Sequence, residues 1–166
     1  MIKLVVFDLD GVLVDARDLH YDAMNLALAD ISSDFVISRE EHLSTYDGLP
    51  TTKKLSLLTE NKGLSPELYN DIWKAKQDKT VQLINSMTTD HRMAQTLSEL
   101  KNAGYKVYVG SNSVKHTIKM MLLRRGLIEF VDEIFSNQDV NHPKPHPEIY
   151  LRCMVHAGVS PNETII

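Results

Sequence analysis

Cysteine is nearly absent. Cys153 is the single one in 166 residues, so no intrachain disulfide can form. It reads as a small buried apolar residue on a helix. No apolar stretch reaches the roughly 20 residues that a membrane-spanning helix needs. The N-terminal run MIKLVVFDLDG is short and ends in acids. It lacks the longer apolar region and small-residue cleavage site of a secretory signal, so a soluble, cytoplasmic protein with no membrane partner is expected. Positive charge is not in excess either. Lys and Arg number 18 against 22 Asp and Glu, for a net charge of −4 and a pI near 5.9. That argues against a dedicated nucleic-acid or anionic-membrane surface, while a small anion can still find a locally positive site. Internal repeats, low-complexity tracts and long linkers are missing. What remains is 43% hydrophobic and 24% charged, the composition of one compact domain or a domain with a modest insertion.

Along the chain the pattern changes twice. Ile2 to Phe7 is a nearly continuous, β-branched apolar run, suited to a strand buried on both faces of a parallel sheet. Residues 16–87 carry helical spacing only: Leu19, Ala23, Leu26 and Ala27, a Ser38–Glu41 capping box, and Thr51 as cap of a helix with Leu55 and Leu58. Ser65-Pro66-Glu67 reads as the start of a helix whose apolar face includes Leu68, Ile72 and Trp73. From residue 88 strands and helices alternate. Strands are expected at Lys106 to Val109, Glu133 to Phe135 and, incipiently, Glu163 to Ile166. The expected fold is α/β, with a Rossmann-like parallel sheet formed by 1–15 and 88–166 and an all-helical insertion, 16–87, acting as a cap.

Three loops follow strands, and each carries polar chemistry. Asp8 and Asp10 stand at the end of the first strand, where open α/β sheets bind ligands. Period-two alternation points both the same way if strand geometry persists. One carboxylate there can attack phosphorus and form an acyl phosphate, and the other can move a proton. A hard cation such as Mg2+ would relieve their repulsion of a phosphate. Ser111 and Asn112 follow the second strand and can hold phosphate oxygens or simply cap a helix. Lys144, between two prolines, offers an ammonium from a stiff loop or lies on the surface as an ordinary lysine.

Taken in order, Phe7-Asp8-Leu9-Asp10-Gly11-Val12-Leu13-Val14-Asp15, then Ser111-Asn112, then Lys144 in Pro-Lys-Pro-His-Pro-Glu, the chain resembles the haloacid dehalogenase superfamily over essentially its whole length. The helical insertion resembles the cap of its β-phosphoglucomutase and phosphoglycolate phosphatase branch. The resemblance implies that Asp8 is the nucleophile and a metal ligand. Asp10 would be the general acid/base and offer its carbonyl to Mg2+, and Ser111, Asn112 and Lys144 would hold the phosphoryl group. The aspartate at position 10 resembles phosphatases and phosphomutases rather than dehalogenases. In the cap, His20 is a candidate substrate contact or gate. Tyr46-Asp47-Gly48-Leu49-Pro50-Thr51-Thr52-Lys53 resembles the specificity loop, which adds Gly48, Thr52 and Lys53. An arginine usual three residues after the glycine in β-phosphoglucomutase-like members is replaced by Thr51, which weighs against a sugar phosphomutase.

The family's fourth motif, acids after the next strand, is not seen beyond Asn162-Glu163-Thr164-Ile165-Ile166. The expectation is a chain that stops short of it, with water completing the metal site and the edge of the first strand partly open to homodimer pairing. The expected activity is Mg2+-dependent hydrolysis of a small phosphorylated metabolite. Its rivals are a sugar phosphomutase and a catalytically incomplete, non-catalytic binder of a phospho-ligand. A response-regulator-like receiver shares the acids and the lysine, but the helical insertion argues against it.

Overall fold

The computed structural model describes residues 1–166, the side chain of Arg17 excepted. In chain order its elements are β1 (Leu4–Phe7), α1 (Arg17–Ala29), α2 (Arg39–Glu41), a π-helical turn (His42–Tyr46), α3 (Thr51–Lys62) and α4 (Tyr69–Asn85). Then follow α5 (His91–Asn102), β2 (Lys106–Gly110), α6 (Lys115–Arg124), β3 (Glu133–Phe135), α7 (Glu148–Ala157) and β4 (Thr164–Ile165), with short 3-10 turns between. The chain divides into two compact units, Met1–Ala16 with Ile84–Ile166, and Arg17–Leu83. No helix among the described residues is long and apolar enough to cross a membrane.

The first unit is α/β. Its strands are all parallel, in the order β3-β2-β1-β4. Leu4, Val5 and Val6 of β1 are buried, as a central strand flanked by two others requires. Side chains alternate across the sheet. Leu4, Val6 and Tyr108 therefore share a face, and they pack there with Cys153, Met154 and Ala157 of α7. Each such aliphatic side chain contributes about 1.5–3 kcal/mol by leaving water. Burial pushes the Cys153 thiol up to about 12, so it behaves as a core residue. Helix α7 stops at Gly158, whose φ of 68° is the left-handed conformation that glycine adopts without strain.

Sheet pairing of β1 starts at Leu4, two residues later than the apolar run predicts. Strand β4 pairs only with Leu4 and Val5, so among the described residues Val6 and Phe7 have sheet partners on the β2 side alone. Beside them lies an apolar groove of about 450 Å3, bordered by Val12, Tyr150, Ile165 and Ile166.

The second unit contains helices and no strand among its described residues. Met24, Ala27, Leu28, Ile37, Tyr46, Leu55, Leu58, Leu64 and Ile72 form its core. The Ser38–Glu41 capping box is present: the Ser38 hydroxyl accepts from the Glu41 N–H, and the Glu41 carboxylate accepts from the Ser38 N–H. Other local expectations fail. Thr51 is the first residue of α3, and Pro50 takes the cap position. Ser65 makes no side-chain cap, because Pro66–Leu68 is a 3-10 turn ahead of α4. Trp73 and Leu26 are more than two-fifths exposed, off the buried face that their spacing suggests.

Candidate active site

Asp8 follows the last residue of β1, so the parallel sheet delivers it to the carboxyl end of a central strand. Its Oδ1 accepts from the Leu9 N–H at 2.7 Å and lies 2.6 Å from the Lys144 ammonium. Both contacts fall on Oδ1, which leaves the lone pairs of Oδ2 for other work. The carboxylate is about a third exposed and the lysine more deeply covered.

Strand geometry does not persist to Asp10. The chain turns tightly after Phe7: Leu13 and Val14 donate to the Leu9 carbonyl, and Gly11, at φ 80°, donates to the Val14 carbonyl. Asp10 instead pairs with Val14 in an isolated bridge. Its Oδ2 accepts from the Ser113 hydroxyl at 3.3 Å. Both acids thus reach the strand end, through a buckled turn held by Leu9, Leu13 and Val14, all buried.

The second loop leaves β2 at Gly110. Ser111 is fully buried; its N–H donates to the Phe135 carbonyl of β3, and its Oγ accepts from the Ser113 N–H. With its oxygen accepting there, its O–H is left to donate. Helix α6 starts only at Lys115, with Val114 at the cap position, so Ser111 and Asn112 are loop residues rather than caps.

The third loop holds Lys144. Asn112 grips its main chain at both ends: Asn112 Nδ2 donates to the Lys144 carbonyl at 3.0 Å, and the Lys144 N–H donates to Asn112 Oδ1 at 2.8 Å. The ammonium also donates to the Gly110 carbonyl at 3.2 Å and lies 6.0 Å from the centre of the Tyr150 ring. Three strand ends therefore bring Asp8, Asp10, Ser111, Asn112 and Lys144 into one linked set of contacts.

A family model for haloacid dehalogenase-like hydrolases matches residues 5–166. The chain belongs to that family. Among its relatives are proteins named pyrophosphatase PpaX. That of Oceanobacillus iheyensis is 28% identical over 99% of this chain and 73% of the relative; that of Bacillus cereus is 30% identical with the same coverage. Among solved structures, CbbY from Rhodobacter sphaeroides in complex with phosphate superposes with a TM-score of 0.83. It is 24% identical, over 99% of this chain and 76% of that one. A β-phosphoglucomutase from Clostridium difficile gives a TM-score of 0.72 at 25% identity, over 99% and 74%.

The remaining candidates of this haloacid dehalogenase-like chain lie in the helical unit. His20 is partly buried on α1, and Gly48 sits at φ 71° in the turn before α3. Thr52 and Lys53 are exposed on the first turn of α3. The neighbouring Lys54 is the buried one. Burial lowers its pKa, opposed by the charge of Asp47. His42 is also buried; desolvation, then the charge of Lys54, lower its pKa. Sequence reasoning did not single out Lys54, His42 or Ser113. Ser113 follows Ser111 by two in the same loop, a usable signal. Nothing in the spacing marks Tyr150.

Proposed function

We propose that the chain hydrolyses a small phosphomonoester through an aspartyl-phosphate on Asp8. The contact between the Lys144 ammonium and Asp8 Oδ1 at 2.6 Å, at the carboxyl ends of parallel strands, carries this reading. An oxygen of the Asp8 carboxylate attacks phosphorus, and the bond from phosphorus to the ester oxygen breaks. Asp10, protonated for this step, gives its proton to the departing alkoxide. Water then attacks phosphorus while Asp10 takes its proton, which releases phosphate and restores Asp8. Lys144 and the Ser111 hydroxyl balance charge on the phosphoryl oxygens. Asn112 positions Lys144 through the two main-chain bonds, and that is where its contribution to phosphate binding lies.

Asp8 and Asp10 present oxygen donors only, the set that suits a hard cation. Mg2+ held by the Asp8 carboxylate and the Asp10 carbonyl, with water in its other positions, would supply charge neutralisation at the phosphoryl group. In the helical unit His20, Gly48, Thr52 and Lys53 are proposed to select the substrate; alanine variants of His20, Thr52 and Lys53 then change KM ratios between substrates. The relatives named pyrophosphatase favour inorganic pyrophosphate as a second substrate.

Hydrolysis of p-nitrophenyl phosphate and of pyrophosphate, with Mg2+ and with chelator, tests the activity. Metal-dependent phosphate release that Asp8→Asn abolishes is expected. Exchange of phosphate between sugar positions without release would identify a mutase. Saturable phosphate binding by a folded chain without turnover would identify a non-catalytic binder.

A further inference from the structure

We propose that His142, His146 and Glu148 form a binding site for a divalent transition-metal ion of the zinc class, distinct in donor chemistry from the carboxylates of Asp8 and Asp10. One donor atom from each of the three lies within 4.8 Å of the other two. The two imidazole rings face each other at 4.8 Å between centroids, tilted by 40°. The segment His142-Pro143-Lys144-Pro145-His146-Pro147-Glu148 has proline at every second position, so its backbone is restrained before any ligand arrives. Two imidazoles and a carboxylate are the donor set that borderline ions take, with one position left for water. Magnesium, which prefers oxygen, is a poor match.

The carboxylate is already ordered and charged. Glu148 accepts from the Asn141 and His142 N–H groups, each at 3.0 Å, and from Arg152 at 3.1 Å. His142 Nδ1 lies 3.0 Å from Glu148 Oε2. That contact gives way on binding: the ring turns so that one nitrogen, free of its proton, and the carboxylate face the same ion. His146 Nδ1 accepts only a long bond of 3.3 Å from the Glu148 N–H, a small loss on binding. Tetrahedral zinc needs donors roughly 3.3–3.5 Å apart. His142, whose side chain is 68% exposed, has the freedom to close that gap by rotating.

Lys144 sits midway between the two histidines, with its main chain held by Asn112 and its ammonium on Asp8. An ion joining residues 142 and 148 would fix the loop that presents this lysine. The site is therefore a device for stiffening the lysine loop, and it does not depend on the phosphatase reading.

The test is titration of the full chain with Zn2+ by calorimetry, and with Co2+ by visible absorption, for the unaltered protein, His142→Ala, His146→Ala and Asp8→Asn. The expected result is one ion per chain, a Co2+ spectrum of low coordination number and a rise in Tm with zinc. Affinity should fall at least about 10–100-fold in both histidine variants and stay unchanged in Asp8→Asn. Melting in chelator shows whether each variant is folded, and His142→Gln and His146→Gln serve if an alanine variant is not. No saturable binding, equal binding in the histidine variants, or loss in Asp8→Asn alone overturns the proposal.

Discussion

The ammonium of Lys144, in the α/β unit, lies against Asp8, the Gly110 carbonyl and the Tyr150 ring. Lys54, in the helical unit, is buried and forms no ion pair among the described residues; Asp47 is the acid whose charge favours its protonation. The first lysine is placed by backbone: a parallel sheet sets three loops side by side, and Asn112 ties two of them together. The second is placed by side-chain packing around the start of α3, and burial destabilises its charged form. Lys144 is thus held among polar partners at the strand ends, whereas the burial of Lys54 weighs against the stability of its own unit.

The largest expected effects fall on the α/β side. Asp8→Asn reduces turnover to background, and Asp10→Asn lowers kcat by about 100- to 10,000-fold while leaving substrate binding measurable. Lys144→Ala lowers kcat/KM by about 100- to 1,000-fold, the scale of losing one charge-stabilising donor. Asn112→Ala touches only the main chain of Lys144, and the loop shift it permits costs up to about 100-fold. Asn112→Asp, which keeps the acceptor for the Lys144 N–H, recovers part of that loss. A variant of Asn112 with full activity would break the claim that backbone ties place the lysine.

Effects on the helical side appear in stability. Lys54→Met removes a buried charge and raises Tm, by about 1 kcal/mol of stability, with kcat on p-nitrophenyl phosphate unchanged. A destabilised Lys54→Met would mean that the ammonium is better satisfied than its burial implies. For His42 the folded pKa lies below the ordinary 6.5. The unfolded chain then binds more protons, so stability is full above about pH 6.5 and falls as pH drops toward the folded value. Asp47 opposes this shift and Lys54 reinforces it. Thermal melts from pH 8 to 5 should show the decline, and His42→Phe should flatten it.

The smallest effect is acidic. Glu163, held at about 2 first by Lys3 and then by Ser160, contributes stability that is present above pH 4.5 and is lost between about 4.5 and 2. Lys3→Met should shrink that loss in acid titrations.

The α/β unit was legible because its signals are local. An apolar run ending in Asp-Leu-Asp-Gly specifies a buried strand and a turn, and β3 occupies the three residues expected of it. Alternation of strand and helix then fixes a parallel sheet, and a parallel sheet brings its loops together. How that turn places Asp10 was not legible, since it depends on three bonds converging on one carbonyl, that of Leu9. The grip of Asn112 on Lys144 joins residues 32 apart, which spacing does not encode. In the helical unit, helix existence followed from periodicity, and so did most facing: Leu19, Ala23, Ala27, Leu55, Leu58 and Ile72 are buried, while Leu26 and Trp73 are exposed. Lys54 is inward because it shares the face of Leu58, four residues on, and Lys53, about 100° away around α3, is exposed.

The account rests on Asp8 as the atom donor to phosphorus, and the direct measurement is rapid acid quenching of the full chain during turnover of p-nitrophenyl phosphate, followed by peptide mass spectrometry. The account predicts a transient phosphoryl group on Asp8, absent in Asp8→Asn and longer-lived in Asp10→Asn. Turnover with no phosphoryl group on Asp8 at any time, or the group on another residue, would contradict it.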